Sequence, residues 1–162
     1  MSRVLITGMS GTGKSTALEK LGERGYRVVD TDSEKWSHWV FLPDGSTDWV
    51  WREEAIIKLL TEHQQGTLFV AGCKSNQGKF YNLFDHVVLL SAPASVILPR
   101  IASRENNTYG KSPEERDCIL RNLAEIEPLL RVTATTEIDA SAPIDEVVRQ
   151  LENLAKHYRR VY

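Results

Sequence analysis

Apolar positions along this chain fall into short unbroken runs, separated by stretches in which they recur every three or four residues. The runs Val4-Leu5-Ile6-Thr7, Tyr26-Arg27-Val28-Val29, Thr67-Leu68-Phe69-Val70-Ala71, Phe84-Asp85-His86-Val87-Val88-Leu89-Leu90 and Thr135-Thr136-Glu137-Ile138-Asp139 read as strands. Continuous apolar character of this kind suits a parallel sheet covered on both faces. The intervening stretches read as helices. Ala17, Leu18 and Leu21 share a face between Lys14 and about Glu23, with Gly22 and Gly25 closing it. Trp51, Ala55, Ile56, Leu59 and Leu60 predict a helix from Asp48 to about Gln64, ended by Gly66. Pro93 opens a helix to about Arg104. Ser112-Pro113-Glu114-Glu115 has the spacing of a capping box and starts a helix expected to run to about Arg131. Ile144, Val147, Val148, Leu151, Leu154 and Ala155 give the last and most amphipathic helix, and the basic tail Lys156-His157-Tyr158-Arg159-Arg160 reads as its solvated end. Alternating strands and helices predict an α/β fold, taken as one domain over residues 1–162.

One segment breaks the alternation. Residues 34–52 hold all 4 tryptophans, Trp36, Trp39, Trp49 and Trp51, with Phe41, around the turn Leu42-Pro43-Asp44-Gly45-Ser46. These aromatics serve either as core filling or as a flap over an organic ligand. Composition narrows the partners. A net charge of −2 lacks the basic footprint of a nucleic-acid binder, and no apolar run is long enough to cross a bilayer. Met1-Ser2-Arg3 leads straight into a strand, so no signal segment is expected and the chain is read as cytoplasmic, a monomer or homodimer. Cys73 and Cys118 have no metal or redox spacing and read as idle thiols.

The chemistry centres on Gly8-Met9-Ser10-Gly11-Thr12-Gly13-Lys14-Ser15-Thr16, which fits G-x-x-x-x-G-K-[ST] at every fixed position and follows a strand. Glycines at 8, 11 and 13 let successive backbone N–H groups converge where side chains would crowd a phosphate, and the helix that follows adds its positive end. Gly8, Ser10, Gly11, Thr12, Gly13, Lys14, Ser15 and Thr16 are therefore expected to cradle a nucleoside triphosphate. In this arrangement Lys14 meets the β- and γ-phosphates, Ser15 ligates Mg2+ and Thr16 faces the α-phosphate side. Asp30 and Asp32 alternate at a strand end, where ligands bind in open α/β sheets; Asp32 and Ser33 would also serve as helix caps. Gly72, Lys74 and Ser75 stand at another strand end as substrate contacts or as ordinary loop residues. Arg52 reads as a surface ion-pair partner or a ligand contact, and Arg100, Arg104, Lys111 and Arg116 as a cationic lid or a solvated hairpin.

This series of elements and motifs resembles the small P-loop kinases over nearly the whole chain, shikimate kinase first, then gluconate kinase and nucleoside monophosphate kinases. The resemblance implies a P-loop NTPase three-layer α/β/α sandwich with a five-stranded parallel sheet, a substrate-binding flap at about 33–64 and a lid at about 104–113. It implies a phosphotransferase using ATP and Mg2+ on a small-molecule acceptor. Asp30 looks like the residue that organises Mg2+, and Asp32 like the one that contacts the acceptor hydroxyl. Trp51-Arg52-x-Glu54 is similar to a Phe-Arg-x-x-Glu region that sets an arginine on the substrate carboxylate, and Arg121 resembles a second acceptor-binding arginine. Arg100 looks like the lid arginine near adenine, and Arg104 or Lys111 like those reaching the transferring phosphate. Ala140 to Pro143, including Ser141, falls where such kinases wrap adenine. Two departures bear on the acceptor: Gly72-Cys73-Lys74-Ser75 stands where shikimate kinases carry a glycine triplet, and the tryptophan-rich segment is unlike their substrate-binding region. The rival readings are a nucleoside or nucleotide kinase, with a base stacked on Trp36, Trp39 or Trp49, and a nucleotide-binding regulatory ATPase.

Overall fold

A computed structural model describes residues 1–105 and 107–156. In chain order its elements are β1 (Ser2–Thr7), α1 (Lys14–Glu23), β2 (Arg27–Asp30), β3 (Ser37–Phe41), β4 (Thr47–Trp51), α2 (Glu53–Glu62), β5 (Thr67–Ala71), a 3-10 segment (Gln77–Leu83), β6 (His86–Ser91), α3 (Ala94–Ser103), α4 (Pro113–Glu125), α5 (Glu127–Thr133), β7 (Thr136–Asp139) and α6 (Ile144–Lys156). Five strands form one sheet in the order β2-β5-β1-β6-β7. Every pairing in it is parallel.

Period-2 alternation divides the apolar strand residues between two cores. Val4, Ile6, Phe69, Ala71, Val88 and Leu90 face one side with residues of α1, α3 and α6, including Leu21, Ile97 and Leu151. Leu5, Leu68, Val70 and Val87 face the other side, with Ile56, Leu59 and Leu60 of α2 and Phe80 and Phe84. The result is the expected three-layer α/β/α sandwich. Because β1 is central and the sheet is parallel, the loops after β1, β2 and β5 all emerge at one edge.

Two local expectations are corrected. Residues 37–51 are ordered as a β3–β4 hairpin with Trp39 opposite Trp49 and Ser37 opposite Trp51, so they are not irregular, and α2 begins at Glu53 rather than Asp48. The β-branched and aromatic residues flanking Pro43-Asp44-Gly45 favour strands, and Gly45 turns the chain with φ of 86°. Trp51 lies at the end of β4 and is fully buried; its ring centroid is 5.7 Å from that of Phe80 and 6.5 Å from that of Phe84. The helix expected to reach Arg131 breaks into α4 and α5, because Pro128 removes an N–H donor and its ring clashes with the preceding turn. The tail residues His157 to Arg160 lie outside the described residues.

The hairpin forms its own two-stranded sheet and is fastened to the body by side chains. The Asn76 amide pairs with the Trp51 peptide, accepting from its N–H at 3.1 Å and donating to its C=O at 3.0 Å. The Ser37 hydroxyl donates to the Thr31 carbonyl at 2.5 Å, and the buried Thr31 hydroxyl donates to the Ala71 carbonyl at 2.8 Å. The 3-10 segment is held in turn by Gln77, which donates to the Thr7 hydroxyl at 3.0 Å.

Candidate active site

The phosphate loop has the form its glycines permit. Gly11 adopts φ of 80°, and a Cβ there would lie 2.9 Å from Ile97 Cγ2, so α3 packs against the bare backbone. At Gly8 a Cβ would come within 2.4 Å of the Leu90 carbonyl oxygen, which presses the loop onto the end of β6. The Thr12 hydroxyl donates to the Met9 carbonyl at 2.8 Å and closes the turn. Lys14 Nζ folds over the loop and donates to Gly8 O at 2.6 Å and Met9 O at 3.0 Å. Burial pushes the Lys14 ammonium below its ordinary pKa and the charge of Lys74 adds to this, while Cys73, Asp30 and Asp32 oppose it. The first turns of α2, α4 and α6 each carry two acids, whereas α1 carries none there. Its positive end is thus left for an anionic ligand.

Two cavities flank this loop. One, of about 430 Å³, is lined by Ser10 to Thr16, Arg100 and Arg104 from α3 and its end, and Ala140, Ala142 and Ile144. Its mixture of N–H donors, cations and an apolar wall suits a nucleotide. The other, of about 250 Å³, lies between the loop, Asp30, Asp32, Gly72, Cys73, Lys74 and the α4 residues Ile119 and Asn122. Ser10, Lys14, Ser15 and Asp32 line both.

Asp32 is the junction of the second cavity. Its Oδ1 accepts from Lys74 Nζ at 2.8 Å and from Trp49 Nε1 at 3.2 Å, so the loop after β5 and the hairpin converge on one carboxylate oxygen. Asp30 Oδ1 accepts the Asp32 N–H at 3.0 Å and sets the bend between the two acids. Gly72 sits tightly between Thr31 and Trp51; a Cβ on it would be 2.2 Å from Thr31 Oγ1 and 3.3 Å from Trp51 Nε1.

Other sequence-derived candidates are not brought to these cavities. Arg52 is exposed at the foot of the hairpin, donating to the Glu34 carbonyl at 2.8 Å and lining a separate groove with His38 and Glu54. Arg121 is exposed on α4 and lines neither cavity. Ile119 faces the core, and Asn122, three residues on, shares that face; helical spacing would have singled out Asn122 over Arg121. Ser141 and Pro143 point outward, Ser141 bonding to Asp139, while the alternate residues Ala140, Ala142 and Ile144 supply the wall. Arg104 lines the larger cavity and also braces the chain beyond α3, donating to Tyr109 O at 2.6 Å and Asn107 O at 3.2 Å. Lys111 donates to Arg104 O at 2.6 Å and lines neither cavity. The Tyr109 hydroxyl bonds to Cys118, and this bond, with burial, pushes its pKa up to about 12.

The donor set fits Mg2+. Ser15 and Asp30 line one cavity beside the loop, and among the described residues no cluster of three His, Cys, Asp or Glu side chains forms an all-protein cage. Mg2+ is ordinarily held this way, by one or two protein oxygens together with nucleotide phosphates.

No curated protein sequence matches the chain significantly. Solved structures do match its fold. Shikimate kinase from Acinetobacter baumannii in complex with shikimate aligns with a TM-score of 0.67 at 17% identity, covering 95% of this chain and 92% of that one. A gluconokinase from Sinorhizobium meliloti aligns at 0.58 and 18% identity, over 96% and 94% of the two chains. Deoxyadenosine kinase from M. mycoides with bound dATP aligns at 0.58 and 13%, over 96% and 100%. All carry the P-loop kinase fold described here. A family model described as AAA domain matches residues 4–121, which span the phosphate loop, both acids, the hairpin and most of α4, and the chain belongs to that family.

Proposed function

We propose that the chain is a kinase that moves the γ-phosphoryl group of ATP, in the presence of Mg2+, to a hydroxyl of a small-molecule acceptor. The observation that carries this reading is the meeting of two cavities on Ser10, Lys14, Ser15 and Asp32. A nucleotide in the larger and an alcohol in the smaller would face each other across Lys14. A nucleotide-operated switch requires only the first cavity. The second, at about 250 Å³, falls below the range of roughly 300–1,000 Å³ that holds drug-sized ligands and suits a metabolite.

Each residue has a role that follows from its position. Lys14 and the loop N–H groups neutralise the β- and γ-phosphates, and the Ala140, Ala142 and Ile144 wall with Arg100 receives the base. Ser15 and Asp30 would hold Mg2+, which supplies further charge neutralisation on the phosphate oxygens. Asp32 orients the acceptor hydroxyl. As that oxygen bonds to the γ-phosphorus and the bond to the β–γ bridging oxygen breaks, Asp32 takes the hydroxyl proton. Arg104, bonded to the lid backbone, closes the phosphate side from water.

ADP release from Mg-ATP, measured alone and with a panel of alcohols, tests the reading. At least one acceptor is expected to raise the rate about tenfold or more, equivalent to about 1.4 kcal/mol of barrier. Slow release unaffected by every alcohol would favour a regulatory ATPase.

A further inference from the structure

Within the kinase reading, on which this inference rests, charge around the acceptor cavity indicates the class of compound it takes. Its described lining contains two ammonium groups, Lys14 and Lys74, two carboxylates, Asp30 and Asp32, and no arginine. Lys74 is engaged by Asp32 at 2.8 Å, with its side chain only 12% exposed. Lys14 folds over the phosphate loop. With Lys14 given to the nucleotide phosphates in the kinase reading and Lys74 paired with Asp32, no lining cation is left for a carboxylate or phosphate on the acceptor, and an anion there without a partner is disfavoured. Arg52 and Arg121, the residues suited to such a charge, lie outside the cavity. Asn122 instead offers an uncharged amide from the α4 wall.

The hairpin supplies the second observation. Trp39 and Trp49 are directly opposed on β3 and β4, with ring centroids 5.2 Å apart, and Phe41 extends the same face. Trp39 is 65% exposed and Phe41 86% exposed, while the alternate residue Val50 on the other face is buried. An apolar aromatic face turned to water marks a ligand-contact surface. This one begins at the acceptor cavity, because Trp49 Nε1 donates to Asp32 Oδ1.

We propose that the acceptor is an uncharged, ring-bearing alcohol that stacks on the exposed Trp39 ring, which is tilted 57° from that of Trp49, and presents one hydroxyl to Asp32. A nucleoside base and the apolar face of a sugar share this chemistry.

Matched pairs test it: thymidine and thymidine monophosphate, adenosine and AMP, glucose and glucuronate, methyl shikimate and shikimate. ADP release gives kcat/KM, and calorimetry on protein loaded with Mg2+ and a non-hydrolysable ATP analogue gives binding without turnover. The neutral member of at least one pair is expected to exceed its anionic partner tenfold or more, and which pair responds separates nucleoside from sugar. Trp39→Ala, checked for an unchanged thermal melt, is expected to raise KM for that acceptor about tenfold, the loss falling on KM rather than kcat and sparing KM for ATP. Preference for an anionic member, an unaltered acceptor KM in Trp39→Ala, or no binding of any compound at millimolar concentration overturns the inference. A neutral ring alcohol that binds without ADP release overturns the kinase reading and leaves the ligand class standing.

Discussion

The phosphate loop and the proposed acceptor cavity meet at Lys14 yet are built by different means. Nine consecutive residues make the first, Gly8 to Thr16, using backbone N–H groups and glycines, two of which, Gly8 and Gly11, also pack on Leu90 and Ile97. The second adds to the loop residues three separated segments, Asp30 and Asp32 after β2, Gly72 to Lys74 after β5, and Ile119 and Asn122 on α4, with Trp49 of the hairpin bonded to Asp32. Its geometry rests on side-chain hydrogen bonds such as the one from Lys74 to Asp32 and the pair between Asn76 and Trp51. The loop presents backbone N–H groups set by its own glycines, whereas the other cavity changes with each side chain that reaches into it.

Substitutions on either side of Lys14 sharpen this contrast. Lys14→Met removes the charge over the phosphates and is expected to lower kcat by roughly 10²–10³-fold while the far-ultraviolet circular dichroism stays unchanged. Retained turnover in that variant would dissolve the distinction between the two halves. Next in size, Asp32→Asn keeps the shape but cannot accept the hydroxyl proton, so kcat should fall about 10²-fold with ATP affinity by calorimetry preserved. Asn76→Ala removes both bonds to the Trp51 peptide; a cost of about 1–2 kcal/mol is expected in urea unfolding, with KM rising for the acceptor more than for ATP. The smallest effect is expected from Trp49→Phe, which keeps a ring opposite Trp39 and loses the N–H to Asp32. About 0.5–1.5 kcal/mol, read as a several-fold rise in acceptor KM, would show that the hairpin steadies Asp32. Equal effects of Asn76→Ala on both substrates would mean the halves are mechanically one unit.

The same contrast explains what was legible in the sequence. Parallel strands and their helices followed from apolar periodicity, and the phosphate loop from its spacing, since both depend on neighbours along the chain. The hairpin was hidden because Trp51 satisfies a helical pattern with Ala55 and Ile56 as readily as it ends a strand, and only packing on Phe80 and Phe84 decides between them. The α4–α5 break is readable from Pro128, which an expectation built on the capping box at Ser112 leaves out. Arg52 and Arg121 drew attention through charge, yet position on a face governs which side chain reaches a cavity. Asn122 has that position and no charge to announce it.

The hairpin's separation from the main sheet has an evolutionary side. Residues 37–51 share no ladder with the five central strands and are held by contacts from Thr31, Asp32 and Asn76. A lineage can therefore rewrite this cassette, or graft another of equal span, while the strands that carry the phosphate loop go untouched. Enzymes descended from one ancestor would then diverge in diet sooner than in engine.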